Sequence, residues 1–226
     1  MAHQAPGPWP APQSVPSDIG LRAYLKDCAA LLDSVPHPSL VFDRRWDVVL
    51  ANPAFDALFA GVRLWPGAMP RENFLRFVLF HPDADSVLLE RESLWCLPML
   101  ANFARALERD GEDDGLKSVR GAIADDPIME AAYVHGLPHW IRAVGEGGLE
   151  HDGAVRPVQH PDPRWGRTFC RVVGDTPRTL EALGYTRLTF VLRETPRRPR
   201  PLADRRAGRQ LRHRAGHLTA VPLSEV

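Results

Sequence analysis

Between positions 18 and 33 the apolar residues Leu21, Tyr24, Leu25, Cys28, Leu31 and Leu32 recur at i, i+3, i+4 and i+7. That spacing predicts a helix with one buried stripe, capped by Ser17 or Asp18 and stopped by Val35-Pro36-His37-Pro38. The pattern then turns extended. Leu40-Val41-Phe42 and Asp47-Val48-Val49-Leu50 flank the polar turn Asp43-Arg44-Arg45-Trp46, which reads as strand, turn, strand, with the Asp43 side chain closing the turn. Asn52-Pro53 opens a helix, Asn as cap and Pro at the first helical position, and places Phe55, Leu58 and Phe59 on one side. Residues 72–80 form a short helix with Phe74, Leu75, Val78 and Leu79 inside, broken by His81-Pro82-Asp83. A longer helix is expected over 84–109, with Leu94, Leu97, Leu100, Ala101, Ala104 and Leu107 on its core face and a bend at Pro98. After a solvated break at 111–114, Leu116, Val119 and Ile123 mark another helix. Asp126-Pro127 starts one more, carrying Ile128, Met129, Ala132 and Tyr133.

The last third is extended. Residues 154–159, 165–173 and 185–193 read as three strands, the last alternating Leu188, Phe190 and Leu192 with Arg187, Thr189, Val191 and Arg193. Residues 174–184 connect two of them through a helical turn near 179–183. Two early strands, a block of helices and three late strands define an α+β fold: one antiparallel sheet of about five strands with the helices on one face. Its order of elements is that of a PAS-like domain, and the space between helices and sheet is where such a fold holds a ligand.

Composition sets the boundaries. Residues 1–16 hold five prolines and little that can pack, so they are expected to be disordered; 17–34 is a connector helix and 35–194 the folded domain. Residues 195–226 carry eight arginines against Asp204 and Glu225 and read as a flexible basic tail without the interleaved aromatics that base stacking uses. The whole chain has 28 basic and 28 acidic residues, so no global field draws it to DNA or a membrane surface. Three widely spaced cysteines, Cys28, Cys96 and Cys170, argue against a disulfide framework and for a reducing, cytoplasmic compartment. No signal peptide or membrane span is read.

The candidate chemistry is sparse. Phe55, Phe59, Phe74, Val78, Leu100, Phe103, Met129, Leu188 and Phe190 are the residues that would line an apolar pocket, or equally fill an ordinary core. Asn52 and Asp47 lie beside that set and could orient a polar head group, although helix capping suits Asn52 better. His135 and His139 are four apart, but Gly136 and Pro138 between them argue against the regular helix that a zinc pair needs. No G-x-S-x-G stands near Ser39, Ser86, Ser93 or Ser118, and Cys96 reads as a buried thiol. The run Gly145-Glu146-Gly147-Gly148 lacks the Lys-Ser/Thr pair of a phosphate loop. These readings point away from an enzyme and call for no cofactor or metal.

The run from Leu40 through Asp43-Arg44-Arg45-Trp46-Asp47-Val48-Val49-Leu50-Ala51-Asn52 to Leu58-Phe59 resembles the opening of the MmyB-like transcription-regulator ligand-binding domain. So does Asn73-Phe74-Leu75-Arg76 leading to Phe80-His81-Pro82-Asp83, and more weakly His160-Pro161-Asp162 leading to Gly166. The resemblance covers about 36–195. It implies a PAS-like sensor that binds an apolar small molecule, fatty acids among them, and works with a helix-turn-helix. That reader needs on the order of 60 residues, and the 35 residues before Pro36 do not hold one. The expectation is therefore a homodimeric sensor that acts through a DNA-binding partner protein or as a stand-alone relative. A degenerate PAS-like protein-interaction module with a filled core is the alternative.

Overall fold

The computed structural model describes residues 18–145 and 151–193. The proline-rich stretch 1–16, residues 146–148 of the glycine-rich run and the arginine-rich segment 195–226 lie outside the described residues.

The expected elements form in the expected order, together with a helix over Leu137–Val144 that Gly136 and Pro138 argue against in the sequence. Helix α1 (Asp18–Asp33) precedes β1 (Ser39–Phe42) and β2 (Val48–Ala51). Then come α2 (Pro53–Leu58), α3 (Phe74–Phe80), α4 (Ala84–Val87), α5 (Leu97–Arg109), α6 (Asp114–Asp125), α7 (Pro127–Ala131) and α8 (Leu137–Val144). Strands β3 (Val155–Gln159) and β4 (Arg167–Gly174), the short α9 (Arg178–Ala182) and β5 (Thr186–Leu192) complete the described chain. The five strands make one antiparallel sheet in the order β2-β1-β5-β4-β3, so the fold is α+β as the pattern implied. Alternation decides the faces. In β4, Thr168, Cys170 and Val172 are buried while Arg167, Phe169 and Arg171 are exposed. Leu40 and Phe42 of β1, Leu188, Phe190 and Leu192 of β5, Cys170 and Val172, and Val158 of β3 share a single core with the helices.

The β1–β2 turn forms as read. Asp43 accepts from the backbone N–H of Arg45 at 2.8 Å and of Asp47 at 3.0 Å. Trp46 completes it in a left-handed conformation, φ +63°. Asn52 caps α2 by accepting from Phe55 N at 2.9 Å, Asp113 caps α6, and Asp126 caps α7.

Three expectations need correction. The stretch 84–109 is not one bent helix. The chain leaves α4 at Leu88, which bridges to Val158 of β3, and turns through Glu90 at φ +54°. It re-enters through a π-helical turn, Glu92–Cys96, before α5. Pro98 explains the wide turn: it has no N–H to donate and its ring crowds the carbonyl four residues back, so the preceding turn opens. The same device recurs where the π-helical turn Ala132–Gly136 precedes Pro138 and α8. Second, Ile128 is 71 % exposed although its neighbour Met129 is buried, because α7 is a single short turn with one inward position. Third, Leu31 is 65 % exposed and only Leu32 of the α1 stripe is fully buried. The helix is anchored chiefly at its C-terminal end.

Candidate functional site

All nine side chains expected to line a pocket meet in the core between helices and sheet, and all are buried. Phe55 and Phe59 come from α2 and its C-terminal edge, Phe74 and Val78 from α3, Leu100 and Phe103 from α5, Met129 from α7, and Leu188 and Phe190 from β5. Their rings touch in two groups. Phe55 lies 4.7 Å from Phe59 and 6.3 Å from Phe74, which lies 5.8 Å from Phe190. Phe103 instead meets Trp46 at 6.4 Å and Tyr133 at 6.2 Å. Two further rings belong to the first group: Phe77, 5.1 Å from Phe59, and Trp95, 5.8 Å from Phe190. Trp95 falls outside the α5 stripe when the stripe is read at helical spacing, because the π-helical turn rotates it inward.

The polar residues named beside this set divide. Asn52 is fully buried and tied entirely to backbone. It accepts from Ser39 N at 3.0 Å and from Phe55 N, and donates to the carbonyls of Leu32 (3.2 Å), Val35 (3.0 Å) and His37 (2.9 Å). It has no capacity left for a ligand. Asp47 is exposed and accepts from Asn73 Nδ2 at 2.7 Å. Of the arginines available for a head group, Arg76 donates to Ser118 Oγ at 2.9 Å and Arg187 pairs with Asp175 at 3.3 Å. His135 and His139 are exposed, and among the described residues no His, Cys, Asp and Glu cluster that could hold a metal is found. Cys96 donates to Val78 O, and burial pushes its thiol up to about 11.

The sequence reading missed one polar group in this layer. Arg156 of β3 pairs in register with Cys170 and shares the inner face with Val158. It is 4 % exposed. Its guanidinium lies over the Trp95 ring at 4.9 Å, and its Nη2 donates to His151 Nδ1 at 3.0 Å. His151 Nε2 is 3.2 Å from the Asn102 side-chain amide. Burial pushes Arg156 down to about 10. Burial, then the adjacent guanidinium, pushes His151 down to about 3, so the ring is neutral at physiological pH.

That histidine gives a pH prediction. The unfolded chain takes up the His151 proton below its ordinary 6.5, and the folded chain refuses it until about 3. Stability should therefore be full above 6.5 and fall as the pH drops toward 3, by up to about 1.4 kcal/mol per pH unit. His160, lowered by burial, adds to the same window, while Asp83, Asp113 and Asp162, lowered by arginine neighbours, act only below their ordinary 3.8. Urea titrations at intervals from pH 7.5 to 4.5 should show the slope, and H151N should flatten it. An unchanged slope in that variant would place the proton uptake elsewhere.

No curated protein matches the chain. Residues 26–132, from within α1 to the start of the second π-helical turn, match a family model, and β3, β4 and β5 lie beyond the matched span. The model that residues 26–132 match is that of the MmyB-like transcription regulator ligand binding domain, so this part of the chain is similar to that family.

Proposed function

We propose that the protein is the small-molecule sensing domain of a transcription regulator of this type, holding an apolar, fatty-acid-like ligand between the helices and the inner face of its PAS-like sheet. One observation carries the reading: within and beside a segment that matches a ligand binding domain, nine apolar side chains from five separate elements converge on one buried layer. Each CH₂ of an aliphatic chain buried against such walls contributes about 0.8 kcal/mol. The domain acts through a DNA-binding partner protein and is itself no enzyme.

Lipid-stripped protein should melt at a higher temperature with octanoate, dodecanoate or palmitate, the shift growing with ligand excess over its dissociation constant. Leu188→Trp or Phe103→Glu should remove that shift before it removes folding. The close ring contacts, 4.7 Å between Phe55 and Phe59 among them, favour the second reading, a filled core in a protein-interaction module. No shift with any of the three acids, and no lipid extracted from the purified protein, would establish that reading instead.

A further inference from the structure

We infer that Arg156, with the indole N–H of Trp95, forms a buried carboxylate-binding site at the helix–sheet boundary. This rests on the sensor reading and names the group by which the ligand is held: the acid end of a monocarboxylate with an apolar tail. Arg156 lies outside the segment that matches the family model.

Three observations point to it. First, the Arg156 guanidinium is almost wholly buried, and among the described residues no carboxylate stands within ion-pair distance of it. Its partners are the neutral His151 ring and the face of Trp95. A buried cation without a counter-charge is strongly disfavoured, and a carboxylate matches the guanidinium fork with two parallel hydrogen bonds. Arg91 shows the contrast: it reaches Asp85 at 3.5 Å and donates to the carbonyls of His81 and Leu79. Second, Trp95 Nε1, on the ring that Arg156 covers, is buried and has no acceptor among the described residues. Third, Trp95 sits in a π-helical turn, a widening of the helix often found at functional sites. Among the described residues the layer thus presents two donors and no anion that both would serve. Val158, Cys170 and Phe190 on the same inner face, all buried, select for a hydrocarbon behind the charge. One guanidinium and one N–H suit a monoanion.

The test compares dodecanoate with dodecanol on lipid-stripped full-length protein by calorimetry. The acid should bind the wild type at least about tenfold more tightly than the alcohol, the difference a charge-assisted pair supplies. Arg156→Met should bring the acid down to the alcohol's affinity and leave the alcohol unchanged. Trp95→Phe, which keeps the ring and removes the donor, should weaken the acid severalfold and spare the alcohol. Should the Met variant not fold, Arg156→Lys, which keeps the charge and loses the fork, should narrow the ratio. Equal binding of acid and alcohol to the wild type, or a ratio that these variants leave intact, overturns the anchor while the pocket survives. Binding of neither compound removes the sensor reading and the anchor together.

Discussion

Alanine at position 52 should lower the stability of the fold by about 3–5 kcal/mol, although the substitution removes only a small side chain. Asn52 makes five hydrogen bonds, all to backbone, three of them buried and two part-buried. Its carbonyl holds the first N–H of β1 and a donor in the first turn of α2. Its amide collects three carbonyls from the end of α1 and the loop that follows. Deletion leaves the buried ones among these groups without a partner, and each such orphan carries its desolvation penalty. Asn52→Asp separates the two halves of the argument. The carboxylate can still accept, but it cannot donate to Leu32, Val35 and His37, and it brings an unpaired charge. It should be worse than alanine at neutral pH and recover partly in mild acid, where a protonated carboxyl regains one donor. Urea denaturation of the three proteins gives the order. An alanine penalty under about 1 kcal/mol would mean that the end of α1 is not held by this residue.

Trp46→Ala should cost a similar 3–5 kcal/mol, since a buried indole is removed from the core. Trp46→Gly should be the milder change by about 1 kcal/mol, reversing the usual ranking, because the backbone sits at φ +63°, where a β-carbon is strained. Thermal melts of the pair decide it: a glycine variant less stable than alanine would be inconsistent with the left-handed turn. Its ring packs on Phe103 of α5, while its carbonyl accepts from Phe74 N at 3.0 Å.

The strands were legible because alternation is a local signal: Leu188, Phe190 and Leu192 need only their neighbours to declare a face. The burial of the helical members of the apolar set was legible for the same reason, through their 3.6-residue period. Legibility ended where one residue's role depends on distant chain. Asn52 announces a cap, but nothing nearby shows that its amide serves carbonyls 15 to 20 residues back. Trp95 was hidden because an extra residue in its turn breaks the period on which the reading relied. Arg156 stands two positions from Val158, in phase with the buried face, yet a single arginine between Val155 and Pro157 reads as a wet position. Only Trp95 and His151, brought from other elements, show it to be inside.

The placement of β5 also governs how the chain must fold. Strand β1 lies between β2 and β5, and the Ser39 and Thr189 hydroxyls that meet at 3.0 Å are 150 residues apart in sequence. The middle of the sheet can therefore form only when nearly the whole domain has emerged from the ribosome, and contacts of such long sequence separation fold slowly. Until then Leu40 and Phe42 show an apolar face beside an open strand edge, the geometry that recruits a second nascent chain. A product terminated before Thr186 should accumulate as aggregate, whereas a chain that reaches Leu192 closes the sheet.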